Sequence, residues 1–255
     1  MKKLKGFSAV GVVIGFFVVA LLGMATYKVI DGNNKATDFG EYDFYSVIEP
    51  DKNNGEIGDH VKGDANAPVL IFEYADYQCP GCASINPRVN KVIEQLDGKL
   101  AVVYRSFLLS YHQNGTAAAS AAEAAGLQGY WKPYADKLFA EQSEWETASA
   151  SERTEFFDKY FLEVSDGKGD VGKFNEDMAS EKVSKKINFD MGIGKRVGIE
   201  GTPAFYIDGQ LIKWGEGGSV NVNGQTISWD SARTGDDFNK LLKDIVAAKL
   251  GEAEK

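Results

Sequence analysis

The chain has 255 residues, of which 44% are hydrophobic and 12% aromatic, so it is long and apolar enough to bury a substantial core. Its formal net charge is −9, and the body of the chain has no basic run, which argues against a nucleic-acid-binding protein. With only two cysteines, the chain cannot build a framework of several structural disulfides.

The first thirty residues are predicted to form a membrane anchor. Lys2, Lys3 and Lys5 precede an uncharged stretch from Gly6 to Tyr27, which is about the 20 residues that a membrane-spanning helix needs. Lysines on the short leading segment favour a cytoplasmic N-terminus and place the rest of the chain outside. A cleaved signal peptide is the alternative, with Gly23–Ala25 as its cleavage region. Both interpretations export the domain into a compartment where disulfides persist.

Residues 31–67 are predicted to be a linker, because Asp, Asn, Gly and Lys dominate this part of the chain. Within it, the run Tyr42–Ile48 is a candidate edge strand. The organised domain is predicted to begin after the linker, at Pro68.

Residues 68–112 predict the first half of a parallel α/β fold. Val69–Ala75 is a compact apolar run rich in β-branched and aromatic residues, which predicts a buried strand. A helix is predicted after Cys79, with Pro80 at its first position. Leu100–Arg105 follows as a second strand, and strand, helix and strand at this spacing predict a right-handed βαβ unit.

Residues 113–198 predict a helical region inserted after this unit. Its apolar residues recur at helical spacing in four segments. The predicted helices are Ala117–Ala125, Tyr130–Phe139, Ser151–Val164 and Ser180–Val197.

Residues 199–255 return to strands and end in a helix. Ala204–Ile212 predicts a β-hairpin around an Asp-Gly turn, and Asn223–Gly224 marks the turn of a second candidate hairpin. The last helix is predicted over residues 234–250, opening with a variant of the capping box. The segment Trp214–Trp229 has no role that the sequence assigns.

The two cysteines form a Cys-Pro-Gly-Cys motif at the start of the first predicted helix. A closed zinc site usually needs four ligands, and a staple across so few residues constrains little chain entropy. At a helix N-terminus, unpaired amides and the helix dipole stabilise a thiolate and lower the pKa of its thiol. We therefore expect Cys79 to be the exposed nucleophile and Cys82, one turn further in, to resolve the mixed disulfide.

Two features outside the motif favour redox chemistry. The sequence Gly201-Thr202-Pro203 precedes a strand, and a cis Thr202–Pro203 bond would place a turn beside the dithiol and free the Thr202 backbone to pair with a substrate chain. Glu73 lies on a strand built for burial, where its raised pKa would let it accept the proton of Cys82. The alternative is that Glu73 faces solvent.

The stretch Glu73–Cys82, the long helical insertion and Gly201–Pro203 together resemble the DsbA-like thiol-disulfide oxidoreductases of the thioredoxin superfamily. The resemblance covers roughly residues 60–250. It implies an α/β thioredoxin fold, with a central mixed sheet flanked by helices and interrupted by a helical domain. It also implies that Cys79 and Cys82 are the catalytic pair and form a redox-active disulfide.

The resemblance carries over to three other positions and departs at one. It implies that Pro203 is the family's cis-proline and that Glu73, six residues before the first cysteine, is its buried acid. Pro80 matches the motif, but Gly81 stands where strongly oxidising members often carry histidine. We therefore expect a weaker oxidant, and the choice between oxidase and reductase or isomerase stays open.

The leading hypothesis is an extracytoplasmic, membrane-tethered oxidoreductase that exchanges disulfides with cysteine-containing exported polypeptides. A membrane redox partner would reset the dithiol, and no cofactor, metal or nucleic acid is expected. A thiol reductase or isomerase would use the same site. A non-catalytic thioredoxin-like chaperone or binding module is the alternative from another class.

Overall fold

A computed structural model describes most of the chain from residue 39 onwards, namely residues 39, 42–207, 209–213, 217–229 and 235–251. The predicted membrane anchor, residues 1–30, lies outside the described residues, as do Asp208 in the first hairpin turn and the predicted cap at Thr234. Among the helices that are described, none combines the length and the apolar character needed to cross a membrane.

A five-stranded mixed sheet forms the centre of the domain, in the order β1-β3-β2-β4-β5. Its strands are β1 His60–Lys62, β2 Val69–Ala75, β3 Leu100–Ser106, β4 Ala204–Ile207 and β5 Gln210–Lys213. Strands β2 and β3 run parallel, and the other neighbouring pairs are antiparallel. The central strand β2 is buried over almost its whole length, as its apolar sequence predicts.

Helices pack on this sheet and extend away from it. They are α1 Pro80–Gln95, α2 Gly115–Leu127, α3 Trp131–Ala140, α4 Gln142–Trp145, α5 Ala150–Val164, α6 Val171–Met178, α7 Glu181–Arg196 and α8 Gly235–Leu250. Helix α1 joins the parallel strands β2 and β3, which confirms the predicted βαβ unit. Helices α1 and α8 share one apolar core with these strands.

The helical insertion runs from α2 to α7 and contains the four predicted helices, with bounds shifted by at most two residues. It also contains the short helices α4 and α6, which the sequence did not indicate. Helix α6 begins at Val171, and the Asp170 side chain caps it by accepting from the amide of Lys173 at 2.9 Å. The division of the chain into 68–112, 113–198 and 199–255 stays a prediction.

The described part of the predicted linker packs against the domain. The candidate edge strand at Tyr42–Ile48 is absent, and the strand on this side of the sheet is β1. The polar residues that suggested a linker instead bind the backbone: the Asn54 side chain accepts from the amide of Asp51 at 2.7 Å and donates to the carbonyl of Glu49 at 2.8 Å.

The segment without an assigned role contains a second hairpin, β6 Gly218–Val222 and β7 Gln225–Trp229. Its turn residues Asn223 and Gly224 have φ values of 51° and 82°, as the predicted two-residue turn requires. Its buried side chains, Val220, Val222 and Ile227, join the apolar core that includes α8. The hairpin therefore enlarges the core on the α8 side.

Candidate active site at the Cys-Pro-Gly-Cys turn

The two cysteines occupy the first turn of α1. Cys79 is the N-cap residue in extended conformation, and Pro80 follows at the first helical position, as predicted. Both thiols are free, which corresponds to the reduced form. Cys79 is less exposed than we predicted, at 7%, while Cys82 is fully buried. The order of exposure still leaves Cys79 as the sulfur that a substrate reaches first.

Several donors around Cys79 favour its thiolate. The hydrogen bond from the Cys82 thiol is the strongest of them, and it helps to lower the pKa of Cys79 to about 6 from an ordinary value of 9.0. The Thr202 side chain and the backbone amides of Cys82 and Gly81 act in the same direction, whereas burial opposes them. The helix amides thus act in the predicted direction on the pKa of Cys79, and the Cys82 thiol has a larger effect.

Cys82 has the opposite electrostatics. Burial in the core raises the pKa of Cys82 well above its ordinary value, and the neighbouring Cys79 raises it further. The charge of Glu73 acts in the same direction. At neutral pH one sulfur of the pair is therefore a thiolate while the other keeps its proton.

The loop before β4 closes over Cys79. The predicted cis Thr202–Pro203 bond is present, and the Thr202 carbonyl accepts from the Cys79 thiol at 3.4 Å. The Thr202 hydroxyl oxygen is buried. The loop and the motif are separated by more than 120 residues along the chain, and the sheet brings them together because β4 pairs with β2.

Glu73 is fully buried on β2, so the alternative of a solvent-facing glutamate is wrong. Neither of its carboxylate oxygens has a hydrogen-bond partner in the described structure. Burial raises the pKa of Glu73, and the charge of Lys62 opposes that shift. Lys62 is itself buried, with its ammonium bound to the Asn86 side chain and 5.7 Å from the ring centre of Tyr104.

Lys62 lies within the predicted linker, and no sequence signal connected it with Glu73. The connection exists because β1 and β2 pair with opposite edges of β3: Lys62 lies opposite Val102, and Glu73 lies opposite Tyr104 two residues further on. Residues at i and i+2 of one strand share a face of the sheet. Strand register alone therefore brings this lysine towards the buried acid.

The Asp76 carboxylate organises the turn that leads into the motif. It accepts from the backbone amides of Gln78 and Leu109, both at 2.9 Å, and lies 2.8 Å from Nδ1 of His112. The Asp76 carbonyl accepts from the Cys79 amide at 3.0 Å. The His112 side chain is only 12% exposed, and it supports the active-site turn through Asp76.

The helical insertion also holds this turn. Nε2 of Gln142, the first residue of α4, donates to the carbonyls of Tyr77 at 2.7 Å and Cys79 at 3.1 Å. The Gln78 side chain donates to the carbonyl of Glu146 at 2.8 Å. Neither contact could be predicted, because each joins polar side chains or carbonyls that lie more than 60 residues apart along the chain.

The other histidine does not approach the cysteines. Nε2 of His60 lies 2.7 Å from the Glu123 carboxylate, and its ring stacks on Trp131 with centroids 4.3 Å apart. In the described part of the chain, no three potential metal ligands lie together, so the two histidines and the two cysteines form no zinc site there.

Known proteins of the thioredoxin type are similar to this chain in sequence or in fold. The model of a family described as thioredoxin matches residues 56–244. Among solved structures, oxidised BdbD from Bacillus subtilis shares 19% identity and a TM-score of 0.56, covering 81% of this chain and 98% of that one. Wolbachia pipientis alpha-DsbA1 shares 22% identity and a TM-score of 0.56, covering 81% and 97%. These likenesses show the fold, and the predicted thioredoxin-type α/β architecture is confirmed.

Curated relatives match over most of this chain but only a fraction of their own length. Na(+)/H(+) antiporter NhaA 1 of Salinispora arenicola is 30% identical over 198 residues, which is 77% of this chain and 27% of the antiporter. The NhaA antiporter of Herminiimonas arsenicoxydans is 30% identical over 230 residues, which is 89% and 33%. The chain thus spans about a third or less of these relatives, and nothing about ion transport follows for it.

Proposed function

This chain belongs to the thioredoxin family, and from that premise we propose that it is a DsbA-like thiol-disulfide oxidoreductase acting through Cys79 and Cys82. The observation that carries the proposal is the electrostatic contrast within the dithiol. The pKa of Cys79 is lowered to about 6, while that of Cys82 is raised well above its ordinary value. Such a pair has one nucleophile ready at neutral pH and one thiol in reserve.

In the oxidising direction, a client thiolate attacks the Cys79 sulfur of the Cys79–Cys82 disulfide. A client–Cys79 bond forms, the Cys79–Cys82 bond breaks, and the electron pair goes to the Cys82 sulfur, which takes up a proton. A second client thiolate then attacks the client sulfur, forming the client's disulfide and releasing Cys79 as a thiolate. Two electrons pass from the client to the dithiol, and the low pKa of Cys79 makes it a good leaving group.

In the reducing direction the same groups act in reverse order. The Cys79 thiolate attacks a client disulfide, and Cys82 then attacks the Cys79 sulfur and releases the reduced client. Cys82 must lose its proton in this step, and Glu73 is the base that we assign to it. Its carboxylate is buried near Cys82 and has a raised pKa, which suits proton exchange with a thiol.

We assign the clients to cysteine-containing exported polypeptides, with the catalytic domain on the extracytoplasmic side of a membrane. The support is the apolar stretch in residues 1–30 with its leading lysines, which acts as an anchor or, less favoured, as a cleaved signal. An extracytoplasmic dithiol needs a partner to reset it, and a membrane redox protein fits that position. The Thr202 backbone, beside Cys79, is the proposed contact for the client chain.

The experiment measures the rate of disulfide exchange between this protein and a model client protein. Cys79→Ser should abolish catalysed exchange. Cys82→Ser, when it is given the disulfide form of the client, should accumulate a client–Cys79 mixed disulfide that dithiothreitol cleaves. Persistent exchange by the Cys79→Ser protein would rule out the proposed chemistry. If alkylation of both thiols leaves client binding and protection from aggregation intact, the non-catalytic chaperone is the better description.

A further inference from the structure

We propose that Gln142 is a positioning residue for the dithiol. Its side-chain amide, carried by the helical insertion, fixes the turn in the geometry that lets the helix N-terminus stabilise the Cys79 thiolate. The inference rests on the proposed function, because it concerns the reactivity of the same pair.

The contacts of Gln142 are specific to the turn. The residue is 8% exposed, and its Nε2 carries two N–H donors. The carbonyls of Tyr77 and Cys79 accept from this nitrogen at 2.7 and 3.1 Å. These two carbonyls flank Gln78, so one amide group holds both ends of a three-residue segment.

The Cys79 carbonyl is also part of the first turn of α1, where it accepts from the Ala83 amide at 3.1 Å. The orientation of that turn decides whether the amides of Gly81 and Cys82 point at the Cys79 sulfur. Both amides lower the pKa of Cys79. Because hydrogen bonds weaken steeply with misalignment, a turn that rotates away from this geometry loses part of its thiolate stabilisation.

The short helix that carries Gln142 is anchored in the apolar core through Trp145. Trp145, at the other end of α4, is fully buried, and its Nε1 donates to the Leu138 carbonyl at 2.9 Å. Its ring packs edge-on against Phe157 of α5, with centroids 5.7 Å apart. A donor fixed by its own packing can impose a geometry on the turn, whereas a mobile side chain would follow it.

The test uses Gln142→Met, which keeps the length of the side chain and removes both donors. The apparent pKa of Cys79, followed by thiolate absorbance in the reduced protein, should rise by about one unit. At pH 7 the ratio of thiolate to thiol would then fall from about ten to about one. The equilibrium constant for reduction by glutathione should fall about fivefold, because the reduced form loses that stabilisation.

Tyr134→Phe is the matched control. Tyr134 donates from its hydroxyl to the Phe157 carbonyl at 3.1 Å, so this variant also removes a buried side chain–carbonyl bond within the insertion, but away from the turn. The pKa of Cys79 should not change in it. An unchanged pKa in Gln142→Met, or an equal shift in both variants, overturns the inference.

A measurement on the unmodified protein covers the case in which Gln142→Met does not fold. The side-chain amide protons of Gln142 should exchange with solvent far more slowly than those of the exposed Gln225, and their resonances should shift when the dithiol is oxidised. Fast exchange and unshifted resonances would refute the role of Gln142. An unperturbed Cys79 pKa in the wild-type protein would instead count against the proposed function, so the two failures are distinguishable.

Discussion

The lowered pKa of Cys79 makes the stability of the reduced protein depend on pH. The folded state holds this pKa at about 6, against an ordinary value of 9.0 for an unfolded thiol. The lowered pKa stabilises the folded protein. This stabilisation is complete at pH values above the unfolded pKa of 9.0, and it disappears as the pH falls through the folded pKa of about 6. The free energy of unfolding should therefore rise with pH between about 6 and 9.

The size of the effect follows from the two pKa values. Each pH unit in this window adds about 1.4 kcal/mol of differential stability. Relative to a side chain that does not ionise, Cys79 should contribute about 1.4 kcal/mol at pH 7 and about 2.7 kcal/mol at pH 8. Near pH 5 the contribution should vanish, because the thiol is protonated in both states.

The assay compares urea unfolding of the reduced wild-type protein and of Cys79→Ser at pH 5, 6, 7 and 8. Both proteins keep Cys82, so its own titration largely cancels in the difference. The difference in free energy of unfolding should grow with pH along the calculated curve. A difference that is flat, or that shrinks as the pH rises, would show that Cys79 is not stabilised as a thiolate in the folded protein.

Two further variants test the buried charges. Lys186→Met should lower the free energy of unfolding by about 3–5 kcal/mol, because Lys186 bridges the buried carboxylates of Asp59 at 3.3 Å and Asp190 at 2.7 Å, and its loss leaves Asp190 without a cation while Asp59 keeps Arg105 at 2.7 Å. Lys173→Met, which removes an ion pair at the surface, should change the free energy of unfolding far less in the same urea titration, and equal losses would contradict the reasoning. Glu73→Gln should raise the free energy of unfolding at pH 7, since a raised pKa marks a carboxylate whose charge destabilises the fold, and it should slow resolution of the mixed disulfide in stopped-flow measurements. A less stable Glu73→Gln protein that resolves at the wild-type rate would remove Glu73 from the proposed step.

The elements of this structure that could be predicted are those that depend on residues close together in the sequence. The apolar run of β2, the helix that starts at Cys79 and Pro80, and the Asn223–Gly224 turn each depend on neighbouring residues, and all are present. The placement of Thr202 beside Cys79 was predicted from the Gly201-Thr202-Pro203 motif and the family resemblance, and not from local sequence, because the two residues are far apart along the chain.

The parts that could not be predicted depend on contacts between distant segments. Lys62 was assigned to a linker, since its burial depends on the pairing of β1 with β3. Gln142 belongs to a four-residue helix that is too short for a periodic pattern, and its partners lie more than 60 residues away. Asp76 and His112 illustrate the same limit, because their hydrogen bond forms only when the loop after β3 returns to the motif.

The pKa of Cys79 also limits how much its thiolate can raise the reduction potential of the dithiol. A fall in pKa from 9.0 to about 6 stabilises the reduced form about tenfold at pH 7, which corresponds to about 30 mV for a two-electron couple. The same arithmetic for a cysteine with a pKa of about 3.5, the value in DsbA, gives about 100 mV. The thiolate here therefore supplies about a third of that driving force, in keeping with Gly81, which offers only its backbone amide. A measured potential close to that of DsbA would require groups other than the Cys79 thiolate to stabilise the reduced form.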